Sequence, residues 1–444
     1  MAHPPPSPLV VSGALPGLGH MLEFRKSYPT LFRRGFEEHG PLFCVRLGPY
    51  PTAVFCGPEM NEVFYKRTDQ ELGMAEAYGF LRDMFGRVAF TASTAEYESE
   101  RHVLHAPFKA GRMRGHVDVM QAEVAAWVGG LGDEGRFELV AMTQGLTQQI
   151  SACALMGSAF RDRMGDRFWL LYDDLAKGID PILPSWLPLP KFNRRDRAKA
   201  ELRPMIGELV RERRSGAVRH EDVLQVLCTT ELADGSLLPE EKVISYVLAM
   251  VFAGFETTSA HAAWALIHLL QHPGWIDRLR AESAGVDTTA IGPAVLSKLP
   301  LLRACVKETE RLQPVADRHV RTVDEDLDVG GYRIPKGWVA MSGLNITHNM
   351  ADEFDRPEVY DPERFLRGEG KGQYKVVGFG AARHRCTGMA FAYNEIMVWL
   401  TLLLRDFDLE LETVDPKRRD FTGVVIPEAT WVRYRRREGA AGSP

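Results

Sequence analysis

The chain has 444 residues and a formal net charge of −5, with 45% hydrophobic and 25% charged residues. This balance is typical of a globular protein with a large core, and the lack of excess basic charge argues against nucleic acid as a partner. The six cysteines include no C-x-x-C pair. They therefore indicate reduced thiols rather than a disulfide framework or a zinc site.

The N-terminal segment has neither a signal peptide nor a membrane anchor in our interpretation. It begins Met1-Ala2-His3, continues with three prolines, and lacks a basic flank. The longest apolar tract, from Val243 to Leu270, contains Glu256 and His261, so it is predicted to be a core helix rather than a membrane span. The protein is expected to be soluble and cytoplasmic.

The first predicted elements are a β-hairpin and a short helix, after a turn-rich beginning. Leu42 to Leu47 and Thr52 to Cys56 are predicted strands, separated by Gly48-Pro49-Tyr50-Pro51. Pro58 then opens a helix that runs to Tyr65. From about 97 to 230 the pattern is mostly helical.

The segment from Asp180 to Pro190 carries four prolines with apolar residues between them, which excludes a regular helix. Three interpretations stay open. It is a loop whose apolar groups pack on the body, a lid over an apolar pocket, or a surface that touches a membrane.

A long helix follows. Pro239 and the acidic pair Glu240-Glu241 are a favourable helix start, and the apolar pattern continues to Gln271 before Pro273. A helix of about 30 residues spans roughly 45 Å, enough to cross a domain through its centre. Further helices are predicted from Leu296 to Leu312 and from just after Cys386 to Leu404, with short strands between them. The fold class is therefore mainly α with a small β region (α+β), in a single domain over residues 1–444.

Cys386 lies where a glycine-rich loop meets a predicted helix N-terminus. Unpaired N–H groups and the helix dipole stabilise a thiolate there. Gly380 and Gly388 would let a flat macrocycle approach the backbone, and a thiolate is a haem ligand. The residues alone also allow a buried structural cysteine, or a nucleophilic pair with His384 as the base.

The loop resembles the haem-binding signature of the cytochrome P450 family. The matching residues are Phe379, Gly380, Ala382, His384, Cys386 and Gly388. Ala382 stands at a usual glycine position, and His384 where arginine is most frequent. The resemblance implies the P450 fold, with a long helix crossing over the haem, a haem b cofactor and Cys386 as the iron ligand. It favours this interpretation over the other two.

Three more motifs of that family follow the right order. They are Ala253-Gly254-Phe255-Glu256-Thr257-Thr258 in the long helix, Glu308-x-x-Arg311 in the next helix, and Pro362-Glu363-Arg364-Phe365. The resemblance implies that Glu308 and Arg311 meet Arg364 in a buried cluster that clamps the cysteine loop.

The long-helix motif combines residues that are unfavourable in mid-helix, which predicts a functional kink. The resemblance implies that Ala253 and Gly254 pass against the haem. It also implies that Thr257 binds oxygen or its water and that Glu256 relays protons from solvent. These two residues are the predicted catalytic pair.

Within the family, the chain resembles bacterial sterol 14α-demethylases from about residue 72 onward. The similarity is clearest at Ala77-Tyr78-Gly79-Phe80-Leu81, Phe85-Gly86, Ser151-Ala152-Cys153 and Phe160-Arg161-Asp162. It implies haem-propionate contacts, since cations and hydrogen-bond donors suit carboxylates. The implied contacts are Tyr78, Arg101, His105, Arg321 and His384.

The sterol-demethylase pattern is incomplete, however. Glu256 stands where those enzymes usually have histidine, Asp83 where they have proline, and Thr91 where they have aspartate. These departures predict a different bulky apolar substrate, such as a terpenoid or steroid-like skeleton. The candidate pocket residues are Tyr78, Phe80, Leu81, Phe85, Phe252, Ala253 and Phe255.

The resemblance implies a monooxygenase that uses O2 on an unactivated C–H bond. It is expected to be a monomer that receives electrons from a separate ferredoxin and ferredoxin reductase. A true sterol 14α-demethylase remains an alternative. So does a haem-thiolate enzyme that does not hydroxylate, such as an isomerase, a ring-coupling oxidase or a peroxygenase.

Overall fold

The computed structural model describes residues 5–180, 183–216, 220–421 and 423–438. The helices are α1 Met21–His39, α2 Pro58–Lys66, α3 Arg82–Phe85, α4 Thr94–His105, α5 Ala110–Gly130, α6 Leu139–Met156, α7 Ser158–Lys177, α8 Pro190–Ser215, α9 Val223–Thr229, α10 Glu240–Gln271, α11 Gly274–Ser283, α12 Pro293–Leu296, α13 Pro300–Leu312, α14 Leu344–Thr347, α15 Glu363–Arg367 and α16 Met389–Asp406. The strands are β1 Leu42–Leu47, β2 Tyr50–Phe55, β3 Leu72–Gly73, β4 Glu134–Glu138, β5 Arg318–Val323, β6 Leu327–Val329, β7 Tyr332–Ile334, β8 Val339–Gly343, β9 Phe407–Leu411, β10 Arg418–Phe421, β11 Val424–Pro427 and β12 Trp431–Arg436. The mainly α prediction with a small β region is confirmed.

The described chain divides into two compact units. The first unit comprises residues 5–79 and 307–386, and the second comprises residues 80–306 and 387–438. The single catalytic domain over residues 1–444 stays a prediction.

The first unit is built on a five-stranded sheet in the order β1-β2-β8-β5-β3. Successive side chains of a strand point to opposite faces of the sheet. Strands β1 and β2 therefore contribute residues to a core on each face. Phe43 and Val45 enter a core with α1, whereas Leu42, Ala53 and Phe55 enter a second core on the other face. The predicted hairpin is confirmed as an antiparallel pair, and β2 continues the sheet by pairing parallel with β8.

Helix α1 was not predicted from the sequence. Its pattern is broken by Pro29, and the backbone of Ser27 leaves the helical region at φ −164° and ψ 85°. Tertiary packing holds the helix in place. Phe32 is fully buried, with its ring centroid 6.2 Å from that of Phe43 on β1.

The second unit is organised around α10, which packs against α6, α8 and α16. The helix is uninterrupted from Glu240 to Gln271, close to the predicted bounds. By length and composition alone it is apolar enough to cross a membrane, but two thirds of its most apolar window is buried within the protein. It is therefore a core helix, as predicted.

The proline-rich segment precedes α8, and its residues Pro181 and Ile182 lie outside the described residues. Trp186 is 78% exposed and Leu183 is 41% exposed. The interpretation in which all its apolar groups pack on the body is therefore wrong for these two side chains. The lid and membrane interpretations stay predictions.

Candidate functional site

Cys386 differs from the other cysteines in its exposure. Its side chain is exposed, whereas those of Cys44, Cys56, Cys153, Cys228 and Cys305 are buried. Burial raises the pKa of Cys44 to about 11 and that of Cys153 to about 12, which keeps these thiols protonated. Cys386 is therefore the cysteine whose sulfur is accessible to a ligand.

The loop before Cys386 has a backbone that depends on its small residues. Gly380 has φ +69°, and a Cβ there would lie 3.2 Å from the His384 carbonyl oxygen. Ala382 has φ +53°, a region that costs a residue with a Cβ about 1–2 kcal/mol. The Cys386 N–H closes the loop by donating to the Phe379 carbonyl at 2.9 Å. The departure from glycine at position 382 thus carries a local strain.

His384 binds a residue that the sequence did not indicate. Its Nε2 lies 2.6 Å from Oδ2 of Asp69, and both side chains are largely buried. The same carboxylate lies 3.8 Å from Nη1 of Arg383. Asp69 therefore ties the cysteine loop to the segment between α2 and β3, and a contact of His384 with a haem propionate stays a prediction.

Glu308, Arg311 and Arg364 form the predicted buried cluster, with all three side chains fully inaccessible to solvent. Arg311 donates to both carboxylate oxygens of Glu308, at 2.7 and 2.8 Å. Arg364 donates from Nε to Oε1 of Glu308 at 3.0 Å and from Nη1 to Glu369 at 2.9 Å. One buried carboxylate thus joins α13 to α15.

His348 connects this cluster to the cysteine loop. Its Nδ1 lies 3.1 Å from the Arg311 carbonyl oxygen, so it donates there, and Nε2 accepts from the Val377 N–H at 3.0 Å. The Val377 carbonyl in turn accepts from the Gly380 N–H at 2.8 Å. Burial first, and then Arg311, lower the pKa of His348 to about 3, which keeps the neutral form that both bonds require. The sequence reasoning missed His348.

Arg321 is buried near three further residues that the sequence reasoning missed, Thr68, Tyr65 and His319. Its Nε donates to the Thr68 hydroxyl at 3.1 Å. The Tyr65 hydroxyl lies 2.6 Å from Nδ1 of His319. Burial and the charge of Arg321 lower the pKa of His319 to about 3. Burial raises the pKa of Tyr65, and Arg321 and half-buried Tyr78 both act electrostatically on its hydroxyl. Arg321 and Tyr78, both predicted propionate contacts, thus converge on Tyr65.

In the second unit, Arg101 and His105 lie one turn apart on α4 and share a face. Nε of Arg101 and Nε2 of His105 are buried and have no hydrogen-bond partner among the described residues. Burial and the nearby charge of Arg101 lower the pKa of His105. An unpaired buried donor is costly, so this pair is suited to receive an anionic group.

Helix α4 is fastened to α10 by Glu100, which is also buried. The Tyr246 hydroxyl donates to Oε2 of Glu100, and Nζ of Lys242 lies 3.1 Å from Oε1. This contact fixes the helix that carries Arg101 and His105 against the helix that carries Glu256 and Thr257.

The central part of α10 presents a small, open surface. Ala253 is exposed although the helix is mostly buried, and a Cβ on Gly254 would meet no atom within 4 Å. The Thr257 hydroxyl donates to the Ala253 carbonyl at 2.6 Å, while the helix continues without interruption. The predicted disturbance is therefore a side-chain hydrogen bond to the backbone, and the predicted kink does not interrupt the helix.

Glu256 is partly buried beside α6 and α7. Nε2 of Gln144 donates to its carboxyl at 3.3 Å. Burial is the main cause that raises the pKa of Glu256, and Asp173 adds to it, whereas Gln144 and Arg419 oppose it. A raised pKa moves a carboxyl towards the range in which general acid catalysis is effective.

The candidate substrate residues of the second unit fall into two groups. The Phe85 and Phe252 rings lie with centroids 5.2 Å apart, and Phe85 is fully buried. Phe255 instead packs on Trp169 of α7, at 5.5 Å. Leu81 is buried and Phe80 is half-buried. The structure therefore brings Phe85 and Phe252 together but places Phe255 in a separate aromatic cluster.

These residues fit a haem. The exposed thiol of Cys386 suits the iron, and Gly388 lies at the N-cap of α16 just beyond it. The unpaired donors of Arg101 and His105 suit the propionates. The exposed cysteine at a helix start in the first unit, and the buried donors that lack an acceptor among the described residues of the second, are each features that a haem-thiolate protein requires.

The chain belongs to the cytochrome P450 family, whose model matches residues 4–431. It is 30% identical to the sterol 14α-demethylase of Mycolicibacterium vanbaalenii, covering 96% of this chain and 97% of that protein. It is also 30% identical to that of Mycobacterium tuberculosis over 97% of this chain and 98% of the relative. The lanosterol 14-alpha demethylase of Bos taurus is 28% identical, over 97% and 88%.

A solved structure supports the fold. Retinoic acid-bound cyanobacterial CYP120A1 superposes with a TM-score of 0.88 over 98% of this chain and all of that chain, at 22% sequence identity. The protein is thus a haem-thiolate P450 monooxygenase with the P450 fold, and enzymes of this family use O2 and redox partners on apolar substrates.

Proposed function

We propose that this enzyme oxidises an unactivated C–H bond of a bulky, apolar, terpenoid- or steroid-like substrate in secondary metabolism. The observation that carries the proposal is full-length similarity to sterol 14α-demethylases at 30% identity, combined with Glu256 in place of their usual histidine. The contact between buried Phe85 and half-buried Phe252 supports an apolar binding surface. Strict sterol 14α-demethylation is the second candidate, favoured by the same relatives.

The proposed cofactor is haem b, with Cys386 as its iron ligand. When bound, it supplies the redox centre that activates O2 for insertion of one oxygen atom. Arg101 and His105 bind one or both propionates, because their donors otherwise lack an acceptor among the described residues. Tyr78, Arg321 and His384 are the further propionate contacts that we propose, and Phe379, Gly380, Ala253 and Gly254 line the macrocycle.

Protons pass to the reacting oxygen through Glu256 and Thr257. Burial raises the pKa of Glu256, which favours its role as the proton donor, and Gln144 and Arg419 oppose that shift. The Thr257 hydroxyl is held at a fixed position by the Ala253 carbonyl and accepts hydrogen bonds with its remaining lone pairs. An acid and a hydroxyl in adjacent positions provide a short relay.

Electrons come from a ferredoxin and its reductase in the cytoplasm, and the enzyme acts as a monomer. Turnover with this redox pair, compared with turnover on peroxide alone, separates a monooxygenase that depends on its electron donors from a peroxygenase. Product formation only with peroxide would contradict the proposed donor.

A substrate-binding screen tests the substrate class. Sterols and terpenoids are titrated into the oxidised holoenzyme, and the change in its haem absorption spectrum is followed. We expect saturable shifts with terpenoid or modified steroid skeletons at lower concentrations than with 14α-methyl sterols. Tightest binding of 14α-methyl sterols, followed by loss of their methyl group on turnover, would contradict the proposal and establish the second candidate.

A further inference from the structure

The second unit has a cavity of about 380 Å³ at the end of α8, bordered by α5 and α9. It shares no residue with the predicted haem or substrate sites. Its lining residues are Arg112, Arg213, Arg214, Gly216, His220, Gln225, Val226, Cys228, Thr229 and Leu237. Small-molecule sites begin at about 300 Å³, so this volume suits a small ligand.

The lining is rich in groups that attract anions. It contains three arginines and His220, and none of the described lining residues is acidic. Among the carboxylates close to the cavity, that of Asp222 is engaged by Nη2 of Arg213 at 2.8 Å. The described surface of the cavity therefore has an excess of positive charge.

Two of these arginines have buried donors that are not satisfied. Arg213 is only 4% exposed and uses Nη2 for Asp222 and for the Met156 carbonyl, but its Nε has no partner. Arg214 donates from Nη2 to the Leu238 carbonyl, and its Nε is also buried without a partner. Leaving a buried charged donor unpaired costs more than leaving a neutral one. An anion accepting from these donors would remove that cost.

Gln225 adds a third unsatisfied group. Its Oε1 is buried without a partner among the described residues, in a lining that also contains Arg112, Arg213 and Arg214. The nitrogen and oxygen of an amide side chain are exchanged by a rotation of 180°, which would present the NH2 group to an anion instead. Val226 and Leu237 add apolar side chains to the lining.

We propose that this cavity binds a small phosphorylated ligand, with the phosphate between Arg112, Arg213 and Arg214 and a compact apolar body against Val226 and Leu237. The guanidinium fork matches the geometry of a phosphate. The three cations come from two helices, α5 and α8, so a bound phosphate would bridge them. The inference stands independently of the reaction at the haem.

The test is isothermal titration of the holoenzyme with inorganic phosphate and with phenyl phosphate, at constant ionic strength set by chloride. Arg112→Gln and Arg214→Gln remove two cations of the cavity. Arg25→Gln is the matched control, because Arg25 is an exposed arginine of the first unit. Haem content and circular dichroism establish that each variant is folded. Because Arg112 is exposed, its substitution is the one less expected to disturb the fold.

We expect saturable one-to-one binding, tighter for phenyl phosphate than for inorganic phosphate, and at least tenfold weaker in each cavity variant. The control should bind as the unaltered protein does. Absence of saturation with both probes, or equal affinity in the Arg112→Gln variant and the control, would overturn the proposal.

Discussion

Thr257 is the residue at which proton delivery can be separated from oxygen consumption. Replacing Thr257 by alanine removes the hydroxyl that donates to the Ala253 carbonyl, while alanine favours the helix. Electron consumption should therefore continue, product per electron should fall by about tenfold or more, and peroxide should rise, since general acid catalysis contributes ~10² or more. Product, peroxide and consumed reductant are measured together.

Two variants control for the substitution. Thr257→Ser keeps a hydroxyl at the same Cβ and should retain most of the coupling. Ser259→Ala removes another hydroxyl of α10 that bonds its own helix backbone, the Glu256 carbonyl at 3.2 Å, and should leave coupling unchanged. Unchanged coupling in Thr257→Ala would exclude Thr257 from the mechanism.

Glu395 is a buried acid on α16 that makes stability depend on pH. Burial raises its pKa to about 8, against a hydrogen bond with Thr147 that lowers it. The folded protein therefore holds a proton that the unfolded chain releases at about pH 4.5. The stabilisation is fully present below pH 4.5 and is lost as the pH rises through 8, with a slope of at most about 1.4 kcal/mol per pH unit.

The isosteric change Glu395→Gln removes this titration. The free energy of unfolding of the holoenzyme is measured with denaturant between pH 5 and pH 8.5. It should fall with rising pH in the unaltered protein. In the variant, the part of this fall that comes from one carboxyl should be absent. An identical pH slope in both proteins would show that Glu395 is ionised in the folded state.

At the scale of single residues, the sequence identified groups within recognisable motifs and missed their partners. Cys386, Glu308, Arg311 and Arg364 were found because their spacing is specific. Asp69 was not, since its contact with His384 joins positions 315 residues apart along the chain. His348 was missed for the same reason: its role comes from two backbone contacts that no local pattern encodes.

At the scale of elements, the Glu308 carboxylate holds α13, α15 and the cysteine loop in one arrangement. Changing Glu308 to glutamine leaves the buried guanidinium of Arg311 without its counter-charge and Arg364 with Glu369 alone, which costs about 3–5 kcal/mol. We expect a matching loss in the free energy of unfolding and a lower haem-to-protein ratio, because the cluster reaches the loop through His348 and Val377.

Glu369→Gln is the matched control. Glu369 binds the same Arg364 at 2.9 Å, but its side chain is 24% exposed, so its removal should cost no more than about 1 kcal/mol. Equal effects of the two substitutions would contradict a special role of the buried carboxylate.

Element prediction worked where the local pattern was strong. The first hairpin, α2 and α10 have nearly the predicted bounds, because turn residues, helix-start proline and sustained apolar character agree there. Helix α1 was not predicted, because Pro29 is unfavourable within a helix. Packing against β1 nevertheless stabilises this helix. The exposure of Trp186 could not be predicted either, since a proline-rich segment specifies no packing partner.

At the scale of the whole molecule, composition and motif order gave the fold class, but not the topology. The sheet order β1-β2-β8-β5-β3 places strands beside each other that are separated by more than 200 residues. Such pairings follow from packing of both sheet faces rather than from any local signal. Similarly, the sequence does not show that Nε of Arg101 and Nε2 of His105 on α4 lack hydrogen-bond partners, because this depends on the residues packed around them.

The central claim is thiolate ligation of haem iron by Cys386, and the reduced carbon monoxide difference spectrum tests it most directly. The unaltered holoenzyme should give the band characteristic of a thiolate-ligated haem. Cys386→Ser should lose that band together with activity, whereas Cys305→Ala, a change at a buried cysteine, should keep both. A thiolate band that persists in Cys386→Ser, or one that is missing from the unaltered enzyme, would contradict the account.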